Sequence, residues 1–460
     1  MENKTYIIAA GGTSGHINPA IAIADEIKKN EPGANIVFCG TEKGLENSVV
    51  PNHGYKLLHI DAIGFPTRLS KQLFLAVAAY FKGRRQSMDI IRKINPDLVI
   101  GTGGYVCGPM VSMANSMGVP TLLHEQNAFP GKANRFLSKK STVVCISFEK
   151  ARLAFSKAKK VVLTGNPVRD VFYGITKEEA RKQLGIRENE KILFVTGGSL
   201  GAKTINKAIV DLVKNYSDLD YRVILSCGKK AYPGLMEEMG FDEIENQKNP
   251  KKPENPGTTS IKSEINNETN SGIDNKTNSE INIEIDKYKS VLDLKDYLFD
   301  QHLYLASADI VLCRSGALTC SEIAMLGKAS IMVPYPYATG DHQTLNAATF
   351  EEIGACILVK DKDLSAKWLH NSLQKLFSAT DTISKMEVLS KSLAMPQATS
   401  QIYQEIIKIT EKKANTNNNT KTINTETINT ETINTNTTNI NTTNTKLTNM
   451  KKSNTKKSDS

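Results

Sequence analysis

The stretch Thr5-Tyr6-Ile7-Ile8-Ala9-Ala10 runs without a break into Gly11-Gly12-Thr13-Ser14-Gly15-His16. An apolar run of strand length that ends in a glycine-rich turn is the opening of a parallel α/β unit. Beyond the turn, Asn18 suits a helix N-cap and Pro19 a first helical position, and apolar periodicity continues to about Asn30. Glycines let backbone approach a ligand, and the free N–H groups and dipole of a helix N-terminus favour negative charge there. A dinucleotide-binding loop has the same outline. Here, however, the spacing is not Gly-x-Gly-x-x-Gly, and no acidic residue ends the second apolar run, Asn35 to Cys39, to hold a ribose.

The alternation spreads outward from this loop through Leu98 to Ile100 and Val119 to Leu123. It starts again with Lys191 to Thr196, Tyr221 to Ser226, Asp309 to Cys313 and Ser330 to Val333. Two doubly wound α/β domains are predicted, with the boundary near Thr164 to Pro167. The second domain repeats the opening device: Lys191 to Thr196 leads into Gly197-Gly198-Ser199-Leu200-Gly201-Ala202 and then a helix through Val213. Two such loops across one cleft suit a sugar nucleotide, one for the diphosphate and one for the reacting sugar and its acceptor. Either loop alone is explained as well by a plain structural turn.

Two segments break the pattern, about 243–289 and 414–460, where Asn, Thr, Ser, Glu and Lys leave too few apolar residues for a core. The second repeats Thr-Ile-Asn-Thr-Glu-Thr from Thr422. Both read as an inert disordered insertion and tail, although Asn-rich repeats also aggregate or mediate contacts. The predicted organisation is therefore an N-terminal domain over 1–165, a C-terminal domain over 166–398, a helix over 399–413 and the tail.

A chain of 460 residues has room for two domains and their cores. Its net charge of +10 includes a tail in which six lysines face Glu426, Glu431 and Asp459. That balance fits nucleotide phosphates, anionic lipid or nucleic acid alike. The seven cysteines form no Cys-x-x-Cys pair and sit mostly in apolar runs, as buried thiols of a reducing compartment do. Met-Glu-Asn-Lys passes directly into strand, leaving no room for a signal peptide, and no apolar stretch reaches the roughly 20 residues of a membrane span. A cytoplasmic protein is expected, with peripheral membrane contact open.

Further polar clusters mark a site. Cys313-Arg314-Ser315-Gly316-Ala317-Leu318-Thr319-Cys320-Ser321-Glu322 places a helix start near Ser315, directly after a strand. Glu322 then falls about two turns into the helix, where its carboxylate either accepts both hydroxyl hydrogens of a ribose or is a solvated helix acid. His124-Glu125-Gln126-Asn127, Pro130-Gly131, Asn134-Arg135 and Gly165-Asn166-Pro167-Val168-Arg169 crowd polar groups between the domains, which is costly unless they are partnered. Asp341-His342-Gln343 and Asn346 form a similar cluster after Pro334-Tyr335-Pro336.

Six stretches in order, at 11–16, 124–135, 165–169, 197–206, 314–322 and 342–347, resemble the MurG family of UDP-N-acetylglucosamine transferases, which convert an undecaprenyl-linked muramyl-peptide precursor, lipid I, to lipid II of cell-wall synthesis. The resemblance covers about 4–410 without the Asn-rich insertion. It implies a GT-B fold, two Rossmann-like domains facing a cleft, with the donor held mainly by the C-terminal domain and the acceptor by the N-terminal one. Matching donor positions are Thr13, Ser14, Gly15, Asn127, Arg169, Ser199, Ala317, Leu318, Thr319, Cys320, Ser321, Glu322 and Gln343, with Leu298 as the residue whose backbone holds the uracil. The sequence around Leu298 departs from the family pattern, and Ser14 stands where many members have glycine. A positive φ at Ser14 would cost roughly 1 kcal/mol.

The expected chemistry is a single inverting displacement in which the acceptor's C4 hydroxyl attacks the anomeric carbon and UDP leaves. His16 is the candidate general base, an imidazole titrating near physiological pH, against the plainer role of capping the loop or binding phosphate. Asp218-Leu219-Asp220 and Asp361-Lys362-Asp363 match the Asp-x-Asp string of metal-dependent transferases but read as surface turns. The resemblance implies no metal and no cofactor, the leaving diphosphate being met by N–H groups and helix N-termini after Gly198 and Gly316. Leu73, Phe74, Leu75, Val77, Tyr80 and Phe81 beside Lys71, Lys82, Arg84 and Arg85 compose an interfacial helix, or equally a core helix with a basic end. The resemblance favours the interfacial reading and an anionic surface at the cytoplasmic face of the membrane, and no nucleic-acid partner. Rival readings are a GT-B transferase for another lipid, a UDP-N-acetylglucosamine epimerase and a non-catalytic sugar-nucleotide binder.

Overall fold

The computed structural model describes residues 3–66, 70–198, 201–242 and 278–413, with side chains in the last span from 283 onward. The chain divides into a unit over 1–403 and one over 404–460, of which residues 404–413 are helical and the Asn-rich tail lies outside the described residues.

The larger unit holds two all-parallel sheets. The first has seven strands, β1 (Thr5–Ala9), β2 (Asn35–Gly40), β3 (Lys56–His59), β4 (Leu98–Gly101), β5 (Thr121–Glu125), β6 (Val143–Ile146) and β7 (Val161–Leu163), in the order β3-β2-β1-β4-β5-β6-β7. The second has six, β8 (Ile192–Thr196), β9 (Arg222–Ser226), β10 (Leu292–Lys295), β11 (Ile310–Cys313), β12 (Ala329–Met332) and β13 (Cys356–Leu358), in the order β10-β9-β8-β11-β12-β13. Central strands are apolar along their whole length because helices cover both faces. In β1, Tyr6, Ile7, Ile8 and Ala9 are fully buried, as are Leu193, Phe194 and Val195 in β8. All seven cysteines are buried free thiols.

Both sheets reverse their strand order at one place, between β1 and β4 in the first and between β8 and β11 in the second. Loops leaving neighbouring strands at such a switch point diverge and open a crevice at the carboxyl ends, where open α/β sheets bind ligands. Three of the four loops are those singled out in the sequence: Gly11–His16 after β1, Gly197–Ala202 after β8 and Arg314–Gly316 after β11.

Two expectations need correction. The first helix spans Ser14–Asn30, with Thr13 in the N-cap position, so Asn18 is not its cap and Pro19 lies inside it. The chain turns earlier because Gly12 takes a φ of +90°, and the N–H groups of His16 and Ile17 already reach the Thr13 carbonyl at 3.0 and 3.2 Å. Ser14 is therefore a helical residue, and the strain considered for it falls on glycine instead. The low-complexity insertion also ends sooner than expected. A helix over Asn278–Val291 buries Ile285 and Tyr288 in the second sheet's core and leads directly into β10, while 243–277 lie outside the described residues.

The helix Lys71–Ile94 turns its small residues inward. Its inward stripe is Ala76, Gly83, Ser87 and Ile91. Gly83 meets the chain so closely that a Cβ there would lie 2.1 Å from the Asp61 carbonyl oxygen. The large apolar residues point the other way, with Phe74 77% and Phe81 64% exposed, and Leu75, Val77 and the neighbouring Phe65 exposed as well. Among the described residues no helix is long and apolar enough to cross a membrane.

Candidate active site

The loop after β1 is held from below. The buried carboxylate of Glu46 accepts the Gly12 N–H at 3.0 Å and, through its other oxygen, the Thr41 N–H at 2.8 Å and hydroxyl at 2.9 Å. Burial alone would push this carboxyl up, but the bonds from Thr41 and Gly12 outweigh it and hold the group below the usual carboxylate range. Neither Glu46 nor the fourth switch-point loop, Gly101-Thr102-Gly103-Gly104, was assigned from sequence. The loop's signal was legible, a third strand running into glycines. The role of Glu46 was not, because its partner lies 34 residues away.

His16 sits where these loops meet. Its ring lies against Gly103, where a Cβ would come within 2.7 Å of Nδ1, and beside Gly104. Both glycines have positive φ, +108° and +79°, so the close approach and the backbone both exclude a side chain. The His16 Nδ1 lies 3.3 Å from Gln126 Oε1, and its carbonyl accepts the Thr102 hydroxyl at 2.8 Å. Burial lowers the imidazole's pKa from its ordinary value, against opposing effects of Glu125 and Gln126.

His124 and Glu125 end β5 and point to opposite faces, as successive strand residues do. Glu125 accepts the Asn127 N–H at 3.1 Å, the Gly131 N–H at 3.1 Å and the Asn134 side chain at 2.9 Å, which shapes the loop 126–134. That loop meets the second lobe: the Ala128 N–H donates to Asn346 Oδ1 at 2.9 Å, and Asn346 Nδ2 reaches Asn127 Oδ1 at 3.3 Å and the Ser315 carbonyl at 3.2 Å. Asn166 makes a second bridge, donating to the Gln126 carbonyl at 3.1 Å and the Ser321 hydroxyl at 3.0 Å. Most polar groups of these clusters are thus partnered within the first lobe, and Asn166 and Asn346 carry the bonds across the lobes, while Asn134 Oδ1 is buried without a partner.

On the second lobe, the helix Ala317–Leu326 starts two residues later than expected, after Gly316 in extended conformation. Burial pushes the Glu322 carboxyl up to about 7, against the pull of Arg169, whose exposed guanidinium lies 5.4 Å over the Phe172 ring. Gln343 is tied in at both ends: its side chain accepts the Tyr335 N–H at 2.9 Å and its carbonyl the Ser315 hydroxyl at 2.9 Å. The contacts thus join Asn127, Ser321 and Gln343 to the interlobe contact region through Asn166, Asn346 and Ser315. Thr13, Ser14 and Gly15 adjoin His16 on the first lobe. Leu298 lies between β10 and the helix Gln301–Ser307, its half-buried side chain packed on the core. Ser199 and Leu200 lie outside the described residues.

The Asp-x-Asp acids are engaged elsewhere. Asp361 pairs with Arg314 at 2.5 Å and accepts the Thr204 hydroxyl at 2.9 Å, while Lys362 and Asp363 of the same short turn are exposed. Asp218 accepts from Gln374 at 2.9 Å, and Asp220 pairs with Lys191 at 2.5 Å. Among the described residues no group of three or more His, Cys, Asp or Glu is placed to hold a metal ion.

Comparison with known proteins agrees with this geometry. Residues 6–146 match the glycosyltransferase family 28 N-terminal domain and residues 240–402 its C-terminal domain. A protein of Acetivibrio thermocellus named UDP-N-acetylglucosamine--N-acetylmuramyl-(pentapeptide) pyrophosphoryl-undecaprenol N-acetylglucosamine transferase is 38% identical over 89% of this chain and 99% of its own length. Among solved structures, Acinetobacter baumannii MurG superposes with a TM-score of 0.63 at 24% identity, covering 88% of this chain and 99% of that one. The UDP-GlcNAc 2-epimerase of Neisseria meningitidis bound to UDP-GlcNAc superposes at 0.55 with 15% identity, covering 88% and 100%, and shares the fold.

Proposed function

Because the chain belongs to glycosyltransferase family 28, within the MurG family of N-acetylglucosamine transferases, we propose a residue-level reading of its reaction. It transfers N-acetylglucosamine from UDP-N-acetylglucosamine to the C4 hydroxyl of the muramyl sugar of an undecaprenyl-pyrophosphoryl acceptor, with inversion. The observation that carries the assignment of roles is the bridging of two switch-point crevices by Asn166 and Asn346, which faces the His16 loop toward the helix Ala317–Leu326.

On this reading Glu322 receives the ribose hydroxyls, and Arg169, Gln343, Asn127 and the stretch Ala317–Ser321 complete the donor pocket with the Leu298 backbone and Ser199. Thr13, Ser14 and Gly15 lie toward the diphosphate. Its charge is taken up by N–H groups at the N-termini of the helices Lys203–Asn215 and Ala317–Leu326, which need no reorganisation as the bond breaks. His16 takes the C4 hydroxyl proton as oxygen attacks the anomeric carbon, and the C1–O bond breaks with its electron pair leaving on UDP. The lowered pKa of His16 keeps the imidazole neutral, as a base must be.

The exposed Phe65, Phe74, Leu75 and Phe81, flanked by Lys71, Arg84 and Arg85, support peripheral docking on an anionic membrane surface at the cytoplasmic face, which gives access to a polyprenyl acceptor.

Incubating the full chain with labelled UDP-N-acetylglucosamine and a lipid I analogue tests the function. Transfer to the muramyl sugar is expected; release of a free epimer, or binding without turnover, overturns it. For the base, His16→Ala is expected to lower kcat by 10²–10⁴-fold with donor affinity retained; near-normal turnover removes His16 from that role.

A further inference from the structure

Neutral imidazole has one N–H and one lone pair, and which nitrogen carries which is decided by the hydrogen bonds around it. For His16 the assignment follows from fixed backbone groups. The Gln126 Nε2 lies 2.7 Å from the Thr102 carbonyl oxygen, which can only accept, so this end of the carboxamide is the donor and its orientation is determined. The second Nε2 hydrogen has His124 Nδ1 at 3.0 Å and the His124 carbonyl oxygen at 3.3 Å as acceptors. His124 can accept there, because its Nε2 lies 3.0 Å from the Gly165 carbonyl oxygen and must hold the ring's proton. Burial keeps this second imidazole neutral, its pKa pushed down to about 4.

With both Gln126 hydrogens committed, its Oε1 faces His16 Nδ1 at 3.3 Å and can only accept. Nδ1 therefore carries the proton and Nε2 the lone pair. The ring cannot easily flip to exchange them, since it packs on Gly103 and Gly104, where even a Cβ does not fit. His124 and Gln126 are two apart at the end of β5, so their side chains leave on the same side and reach each other, while Glu125 between them faces the 126–134 loop.

We propose that Gln126 is a positioning residue that sets the tautomer of His16: its carboxamide oxygen holds the proton on Nδ1 and leaves Nε2 as the lone pair that receives the acceptor's hydroxyl proton. This rests on the reading of His16 as the base. When the C4 hydroxyl proton arrives at Nε2, the ring becomes an imidazolium protonated on both nitrogens, and the Nδ1–H bond to Gln126 becomes charge-assisted and shorter. Gln126 thus stabilises the ring as its charge develops without touching either sugar. His124, anchored on Gly165, serves only to hold Gln126.

The test is two-bond 1H–15N correlation of the full chain labelled in its imidazole nitrogens, recorded where His16 is neutral, with His16→Ala to assign the signal. The expected wild-type pattern is a protonated Nδ1 and an unprotonated Nε2. Gln126→Leu should move the proton to Nε2, wholly or in part, and lower kcat on the order of 10- to 100-fold with donor KM within about twofold. A wild-type ring protonated on Nε2 overturns the proposal, as does an unchanged tautomer in Gln126→Leu. The wild-type spectrum decides even if a variant fails to fold. Near-normal turnover of His16→Ala would instead end the base reading and leave the tautomer result standing.

Discussion

The carboxylate of Glu46 accepts the backbone N–H of Gly12 at 3.0 Å, tying the start of a short helix to the turn that presents His16. The same side chain occupies space that three glycines leave: a Cβ at Gly11, Gly40 or Gly44 would come within 2.7, 2.5 or 2.0 Å of it. Glu46→Ala would strand the N–H groups of Gly12 and Thr41 and the Thr41 hydroxyl in a buried place. The expected loss is about 2–4 kcal/mol of stability, read as a lower Tm, with kcat reduced in the fraction that stays folded. A Tm within one degree of wild type would show that the carboxylate does not hold the loop.

Donor affinity should depend on pH through Glu322. A carboxyl accepting two ribose hydroxyls must be ionised, and burial places this one at about 7 in the free protein. Binding is therefore strong above that value and is lost as pH falls through it, about tenfold weaker at pH 6 than at pH 8. Calorimetric titration with UDP checks this. Glu322→Gln should bind more weakly and with no such dependence, and a wild-type affinity that is flat across this range would exclude the ribose role.

Acid sensitivity of the fold should include a part from His124. Its pKa lies at about 4 when folded, against an ordinary 6.5, because it is fully buried, and the bond to the Gly165 carbonyl offsets only part of that effect. Above 6.5 both folded and unfolded chains hold it neutral and nothing is lost. As pH falls from 6.5 toward 4 the unfolded chain gains a proton that the folded chain refuses, costing up to about 3 kcal/mol. Urea unfolding at several pH values should show this fall, and His124→Asn should flatten it. An equal slope in the variant would assign the sensitivity to other groups.

The outward apolar face of the helix Lys71–Ile94 predicts vesicle binding. Phe74→Ser/Phe81→Ser removes two exposed phenyl groups, each worth about 1.5–3 kcal/mol when fully buried. Flotation with anionic vesicles should show affinity reduced on the order of 100-fold, while turnover of a water-soluble acceptor analogue is unchanged. Unaltered flotation would refute docking by this face.

Much of the architecture could be read along the chain, because its signals are local. Apolar runs such as Ile192–Val195 are strands buried on both sides, and the glycines that follow them mark turns whose φ values other residues avoid. Even there, the helix start was misplaced: Asn18 and Pro19 carry strong boundary chemistry, but Gly12 turns the chain six residues before Asn18. The buried pair Ile285 and Tyr288 was hidden inside a segment whose overall composition reads as unstructured.

The six ordered motifs and the alternation of strands and helices were enough to determine two Rossmann-like lobes and, through the family they resemble, a sugar-nucleotide chemistry. Tertiary structure alone decided what those residues do to one another. Whether Phe74 and Phe81 face core or solvent depended on which side of their helix Gly83 could press against Asp61. Which nitrogen of His16 bears a proton depended on Gln126, 110 residues further along and separated in the sheet by β4. Strand and turn preferences act over a few residues, whereas hydrogen-bond direction is set by groups that only folding brings into reach of one another.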